Sequence, residues 1–424
     1  MNNKFQIPRG MKDILQDDQK YFDYFLKKAV KIVSSYGFQK ITTPIIEKTS
    51  LFTTGVGQNT DIVEKELFKI LKSGKGESLC LRPENTAGVA RAYLENGFIS
   101  KPQPVQFYYF GPMFRHDKPQ AGRYRQFHQF GIEIIGSKDA CCDAQIIQVV
   151  YQIFKSLNLK NLIIKVNSIG CPECRPDFQN FLKEYFRGKT NNLCKDCKRR
   201  LRVNPLRVLD CKNQACKEVV NQSPKSIDHL CKECNEHFKN VLEFLDELDL
   251  PYDLEPCLVR GLDYYTKTVF EIETKEDNQG QGALGGGGRY DGLIELFGAK
   301  STPGVGVALG VERIIEQIKT RKNKISQTDF SYQVFIAQLG LLAKKKALRL
   351  FRDLQSQNFK VSASLSRDSL KSQLRIANQI KAKFALILGQ KEALEETIIL
   401  RDMETGSQEV IKENKIVEEL KKRL

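Results

Sequence analysis

FRHDKPQAGRYRQFHQFGIE, residues 114–133, sets Arg115, Arg123, Arg125 and Lys118 in one Pro- and Gly-bearing loop, with Phe127 beside them and Glu133 at the far end. The flanks VQFYYF (105–110) and FGIEII (130–135) are rich in β-branched and aromatic residues. The whole therefore reads as two strands joined by a basic loop. Fixed guanidiniums suit a polyanion, because one planar fork bonds two phosphate oxygens at once. Phe127 offers a face for a base to stack on. Taken alone, the same cluster also suits a solvated basic hairpin.

The chain around this loop has 424 residues, room for two or three domains with a substantial core. Its 67 Lys+Arg against 51 Asp+Glu leave a net charge of +16, which calls for an anionic partner. Nucleic acid fits better than a membrane, since no apolar run approaches the roughly 18 residues of a spanning helix. The opening MNNKFQIPRGMKDI has neither the apolar core of a secretory signal nor a cleavage site, so a cytoplasmic protein is expected.

Eight of the twelve cysteines lie between 171 and 234, as Cys171/Cys174, Cys194/Cys197, Cys211/Cys216 and Cys231/Cys234. A two-residue gap lets both thiolates of one turn reach a single tetrahedral Zn²⁺, and two such knuckles complete a four-sulfur site. Eight ligands make two sites; eight reduced thiols in a small helical domain are the alternative. A disulfide framework does not suit a chain without an export signal.

Helical spacing of Phe22, Phe25, Leu26, Ala29, Val30 and Val33 predicts a helix capped by Asp17 or Asp18 and ended by Gly37. A second is expected near 143–157, then the strand LIIKV (162–166). Residues 171–239 carry 15 basic and 9 acidic residues, which suits an inserted RNA-facing module. RKNKISQTDFS, near 320–330, reads as a linker. Beyond it QVFIAQL, a helix at 341–357, FKVSAS, a helix at 368–381 and FALILG alternate, which predicts a small parallel or mixed α/β sheet. Residues 321–424 hold 21 basic and 12 acidic residues, so more than half of the net charge sits in a quarter of the chain.

Two further stretches carry chemistry. LVRGLDYYT (258–266) sets Tyr264 and Tyr265 close behind Arg260, and ALGGGGRYDG (283–292) is a glycine run ending in Arg289-Tyr290-Asp291. Such a run lets backbone approach a ligand, although a flexible turn is its usual explanation. It is not a P-loop, which needs Lys-Ser/Thr after the last glycine. PGVGVALGVERII (303–315) reads as a strand turning into a helix with Arg313 near the start, a place where arginines are usually solvated.

RPENT (82–86), FRHDKPQAGRYRQFHQFGIE, LVRGLDYYT, GGGRYDG (286–292) and ALGVERI (308–314) resemble, in order and spacing, the histidyl-tRNA synthetase family of class II aminoacyl-tRNA synthetases. The likeness runs from IPRGMKDI (7–14) to the C-terminus. It implies an α+β fold: a class II antiparallel sheet flanked by helices, with an inserted small helical domain and a C-terminal α/β anticodon-binding domain. The implied division is 1–170 and 241–325 for the catalytic domain, 171–240 for the cysteine-rich insertion, and 330–424 for the anticodon-binding domain. A homodimer is implied, with KITTPIIEKTSLF (40–52) near its two-fold axis.

The same resemblance implies ATP-dependent ligation of L-histidine to the 3′ end of histidine tRNA through a histidyl-adenylate, with Mg²⁺ bridging the phosphates. Arg115 would hold the α-phosphate and substrate carboxylate and Arg260 would approach from the other side. Arg123 would take the outer phosphates, and Phe127 and Arg313 would sandwich the adenine. Glu84, Thr86 and Gln129 would accept the substrate ammonium. Glu133 and Tyr265 would take the two imidazole nitrogens, with Tyr290 lining the wall and Tyr264 packing behind. His116 and His128 are read as loop contacts, because an already ionised carboxylate needs no base. Asp117 replaces an expected glutamate and Asn85 an expected glycine. Two other readings are a regulatory paralogue of ATP phosphoribosyltransferase, which usually lacks the C-terminal domain and an intact LVRGLDYYT, and an RNA-sensing module without catalysis.

Overall fold

The computed structural model describes residues 5–58, 60–70, 76–117, 122–274, 283–320, 332–366 and 369–424. Lys118 and nearly all of the expected linker lie outside the described residues. The chain divides into two compact units, Met1–Asn323 and Lys324–Leu424.

The first unit begins with α1 (Gln16–Ser35), β1 (Gln39–Lys40), β2 (Ile46–Lys48), α2 (Thr49–Gly55), β3 (Leu79–Leu81) and α3 (Thr86–Glu95). Then come β4 (Val105–Phe114), β5 (Gln126–Ile135), α4 (Ala140–Ser156) and β6 (Leu162–Ser168). Four helices, α5 (Arg175–Arg187), α6 (Lys195–Val203), α7 (Gln214–Asn221) and α8 (Lys232–Glu247), form the cysteine-bearing insertion. The unit closes with β7 (Tyr252–Leu254), β8 (Thr266–Thr274), β9 (Gly285–Arg289), α9 (Leu293–Leu296), β10 (Gly304–Gly310) and α10 (Val311–Thr320). Strands β2 and β3 pair as a small ribbon. The rest form one eight-stranded sheet in the order β1-β4-β5-β10-β9-β8-β6-β7. It is antiparallel throughout its middle and parallel only at the outer pairs β1/β4 and β6/β7.

Helix α1 buries Phe22, Phe25, Ala29 and Val33, the stripe expected from the spacing. Phe22 and Phe25 meet His128 and Phe130 of β5 edge to face. Removing such a buried ring from water stabilises by about 1.5–3 kcal/mol. Leu15, not Asp17 or Asp18, occupies the N-cap, and both aspartates lie in the first turn. There Lys12 and Lys319 hold the Asp18 carboxyl below its ordinary range.

Strands β4 and β5 pair from Val105↔Ile135 to Phe114↔Gln126, so the arginine loop is shorter than expected. Phe127, His128, Gln129 and Glu133 are strand residues. The Gly111-Pro112 pair does not break β4: β1 pairs with it only at Phe107 and Tyr108, leaving Pro112 on an edge that needs no N–H. The glycine run also departs from the turn expected of it. Residues 285–289 are the buried strand β9 between β8 and β10.

The second unit comprises β11 (Val334–Gln338), α11 (Leu341–Ser356), β12 (Val361–Ala363), α12 (Leu370–Gln379), β13 (Phe384–Leu388), α13 (Gln390–Glu395), β14 (Thr397–Asp402), β15 (Gln408–Lys412) and α14 (Ile416–Arg423). Its sheet, ordered β12-β11-β13-β14-β15, is parallel across the first three strands and antiparallel beyond. Alternation sends Val334 and Ile336 to one core with Leu350 and Leu386. Phe335 and Ala337 go to a second core with Ala377 and Ile387. Both faces are thus covered from within the unit. Expressed alone, residues 324–424 should melt in one cooperative transition by circular dichroism; a broad, non-cooperative loss of signal would show that these cores do not suffice.

Candidate active site

The deepest part of the site is a carboxyl group. Glu133 of β5 is 0% exposed. It accepts hydrogen bonds from Thr86 Oγ1 and Tyr290 Oη, each at 2.7 Å. Its cross-strand partner on β10 is Gly306, where a Cβ would fall on Glu133 Oε2. Gly304 likewise leaves space for the Tyr290 ring. Burial pushes the Glu133 carboxyl up to about 8; the Thr86 and Tyr290 hydrogen bonds oppose that, and the Glu84 charge adds to it.

Glu84, just before α3, is close enough for its charge to act on Glu133. It accepts from Thr86 N at 2.7 Å and Ala87 N at 3.0 Å, so its carboxylate caps α3. Burial nevertheless raises its affinity for a proton. Asn85 bonds outward to Thr43 Oγ1 at 2.6 Å and receives Arg82 Nη1 at 3.3 Å, which ties the RPENT turn to the chain beside it. Tyr264 does more than pack, since its hydroxyl donates to Glu84 Oε2 at 3.4 Å. Tyr265 is buried against it with ring centres 4.6 Å apart. Gln129 is buried too, and its Oε1 has no partner among the described residues. A buried acceptor left unmatched is costly, and a ligand donor relieves it.

Guanidiniums from separate segments converge beside this pocket. Arg115 Nε donates to Pro83 O at 2.8 Å and its guanidinium lies 5.3 Å from the Phe127 ring centre. Burial lowers its pKa, while the charges of Glu66 and Glu84 oppose that and the charge of Arg260 adds to it. Arg260 pairs with Glu271 and lies 5.8 Å from the Tyr265 ring centre. Space for it exists because Gly286 has no side chain: a Cβ there would meet the guanidinium. Its buried Nε has no acceptor among the described residues. Arg313 Nη1 donates to Ala283 O at 2.9 Å and Nε to Gly122 O at 3.2 Å. Burial, followed by the charges of Arg123 and Arg115, lowers its pKa. It is therefore anchored rather than solvated. Arg123 pairs with Asp117 at 3.0 Å.

Other basic residues of these motifs point elsewhere. Arg125 braces the loop through Asp117 O at 3.3 Å. Arg289 is fully buried beneath the sheet, pairing with Asp143 at 2.8 Å and Asp291 at 2.9 Å. His116 donates its backbone N–H to Glu66 O and meets Phe68 edge-on. His128, on β5 rather than in a loop, is tied to Glu312 at 2.8 Å. Tyr109 and Glu271 went unnoticed in the sequence. Glu271 was findable, as a carboxylate inside the apolar strand TVFEIET; Tyr109, whose buried hydroxyl close to Glu133 and Glu84 has no partner among the described residues, gave no signal.

The eight paired cysteines gather into two sets, Cys171/Cys174/Cys231/Cys234 and Cys194/Cys197/Cys211/Cys216, with all sulfurs of a set within 4.8 Å of one another. The second set is nested in the chain between the two halves of the first. Cys171 Sγ is 3.8 Å from Cys174 Sγ and 3.9 Å from Cys231 Sγ; Cys174 to Cys234 is 3.9 Å and Cys194 to Cys211 is 3.8 Å. A tetrahedron of metal–sulfur bonds about 2.3 Å long has edges of about 3.8 Å.

Comparison with known proteins accords with this arrangement. The histidyl-tRNA synthetase family model matches residues 10–314, and an anticodon binding domain model matches residues 333–423. Similar curated proteins include the histidine–tRNA ligases of Caldicellulosiruptor saccharolyticus, 45% identical over 99% of this chain and 100% of that one, and of Desulforamulus reducens, 44% identical over 97% of each. The apo S. aureus histidyl-tRNA synthetase structure superposes with a TM-score of 0.80 at 33% identity, covering 98% of this chain and 100% of that one. The chain belongs to the histidyl-tRNA synthetase family, and its sheet is that of a class II synthetase.

Glu133 has a testable signature. Between its ordinary 4.5 and the folded-state value of about 8, the unfolded chain has lost a proton that the folded chain keeps. Stability therefore falls as pH rises through that window. The Tm of the ligand-free protein should drop between pH 5 and pH 8, and Glu133→Gln should flatten the slope; parallel slopes in the two proteins would contradict the assignment.

Proposed function

We propose that this member of the histidyl-tRNA synthetase family uses the pocket around Glu133 to bind L-histidine. There it joins histidine to the α-phosphate of ATP, releases pyrophosphate, and transfers the histidyl group to the 3′ end of histidine tRNA. What carries the reading is a buried carboxyl beside Tyr265 and Tyr290, at the edge of converged guanidiniums. An imidazole has two nitrogens to satisfy; Glu133 accepts from one and the Tyr265 hydroxyl serves the other. An apolar substrate would leave those groups buried and unmet, a rejection of about 10⁴-fold or more.

The remaining polar atoms suit the rest of the substrate. Gln129 Oε1, Glu84 and Thr86 Oγ1 face the ammonium. Two anions must meet in the first step, so their repulsion has to be offset as charge builds on the α-phosphate. Arg115 holds carboxylate and α-phosphate from one side, and Arg260, with its free Nε–H, from the other. The carboxylate attacks already ionised, which explains why neither His116 nor His128 needs to face it. Arg123 takes the outer phosphates, and Phe127 and Arg313 enclose the adenine by stacking and cation–π attraction. Mg²⁺ would enter with the nucleotide and offset part of the phosphate charge.

The domain division follows the same lines. Residues 1–170 and 241–325 supply the catalytic domain, and 330–424 the anticodon-binding domain, whose excess of basic residues suits RNA backbone. In the insertion at 171–240 each set of four sulfurs holds a structural Zn²⁺; the edge lengths near 3.8 Å and the all-thiolate donors support this. A homodimer through the β2–β3 ribbon is supported by the exposure there of Ile45 (41%), Ile46 (49%) and Leu79 (37%). Among the described residues no helix is long and apolar enough to cross a membrane, and the work of charging tRNA belongs to the cytoplasm.

Histidine-dependent ATP–pyrophosphate exchange tests the central reading. Exchange should appear with histidine alone among the amino acids, and its absence would favour a regulatory or RNA-sensing role instead. Arg260→Ala should lower the exchange rate on the order of 10²–10³-fold while histidine binding persists; an unchanged rate would refute its role. Metal analysis of purified protein should return close to two equivalents of zinc per chain, and less than half an equivalent would leave only reduced thiols.

A further inference from the structure

The outer set of cysteines is tied to the main chain that carries Tyr265. Gly170, just before Cys171, has φ +71 and no room for a side chain, because a Cβ would stand 2.8 Å from Cys174 Sγ. Its carbonyl accepts from Arg175 Nη2 at 3.0 Å, Thr266 Oγ1 at 3.1 Å and Lys267 N at 2.9 Å. The same Arg175 Nη2 donates to Tyr265 O at 2.6 Å. Lys267 has φ +51, and the β8–β9 register slips between Thr266 and Val269, so the backbone directly after Tyr265 is bulged. A bulge with a non-glycine residue in the left-handed region persists only where its surroundings hold it. From the other knuckle, Glu233 stands between Cys231 and Cys234 and receives Lys267 Nζ at 2.8 Å. Both halves of the outer set thus grip the segment 265–267.

We propose that Arg175 is a positioning residue for the imidazole pocket, fixing Tyr265 through its carbonyl and making histidine affinity depend on the outer four-cysteine centre. The proposal rests on the assignment of Tyr265 to histidine. Geometry supports the link, because Arg175 directly follows Cys174 and also sends Nε to Ile169 O at 3.4 Å. One nitrogen, Arg175 Nη2, holds Gly170 O and Tyr265 O together beside the outer cysteines. The ATP side has a different support, since Phe127 and Arg313 stand on β5 and α10.

The test is calorimetric histidine binding to the full chain, with KM for histidine and for ATP from pyrophosphate exchange and zinc content measured on each variant. Arg175→Ala should weaken histidine binding about tenfold, as loss of a charged donor to a carbonyl does. ATP KM should move less than about twofold, and Arg175→Lys, which keeps the charge on a shorter side chain that reaches the two carbonyls less well, should fall between. Tyr185→Phe removes a hydrogen bond to Val219 O inside the module and should leave histidine affinity unchanged. Unaltered histidine affinity in Arg175→Ala overturns the proposal. So does a parallel rise of both KM values, which is what a general brace would give. If Arg175→Ala loses its zinc or fails to fold, Arg175→Lys decides, and wild-type affinity there overturns it. Failure of the unmodified protein to bind histidine at all would instead remove the pocket assignment itself.

Discussion

A carboxyl group at the centre of a sheet needs space and partners, and the first unit is arranged around that need. Glu133 lies near the C-terminal end of β5, where an antiparallel partner would ordinarily place a side chain against it. Gly306 removes that side chain, Gly304 makes room for the tyrosine that donates to it, and Gly286 makes room for Arg260. The glycines of β9 and β10 therefore do not provide looseness. They sit in paired, buried strands, and what they contribute is absent volume. Sheet hydrogen bonding keeps that volume from collapsing, which a loop of the same composition could not do.

Charge is gathered next to that space in the same economical manner. Arg115, Arg123 and Arg313 repel one another, so each is held by an acceptor that is not a substrate: Pro83 O, Asp117, and the carbonyls of Gly122 and Ala283. Arg260 has Glu271. These partners fix direction without neutralising the whole group, and an arriving polyanion completes the balance. Deeper under the sheet the same principle has a purely structural use: Arg289 is buried with Asp143 and Asp291, whose charges outweigh the effect of burial and keep it ionised.

Much of this was legible beforehand, for identifiable reasons. The stripe on α1, the strand–helix alternation of the second unit and the strands flanking the arginine loop follow from periodicity, which depends on local geometry. The antiparallel order of the large sheet does not; β10 pairs with β5 and β8 with β6 across long stretches of chain, and the resemblance rather than any local pattern supplied it. The flanking strands run further into the loop than expected, through Gly111-Pro112, and nothing local says that β4 is an edge at that point. Cysteine spacing named eight ligands but not the sets, because which knuckles meet depends on how four helices return. Arg313 looked solvated for a similar reason: its acceptors, Gly122 O and Ala283 O, are brought to it only by the folded chain. Tyr109 matters through neighbours, Glu133 and Glu84, that no short window of sequence sets beside it.

The nesting of the two cysteine sets dictates an order of assembly. Cys194 and Cys211 are 17 residues apart, whereas Cys171 and Cys231 are 60 apart. Closing the wider ring first in an extended chain costs about 1 kcal/mol more in chain entropy than closing the narrower one. Once the narrow ring is shut, the contour left between the outer cysteines shortens and that surplus shrinks. Chain entropy thus favours closing this region from the inside outward, with the knuckles that grip the residues after Tyr265 closing on an already shortened chain.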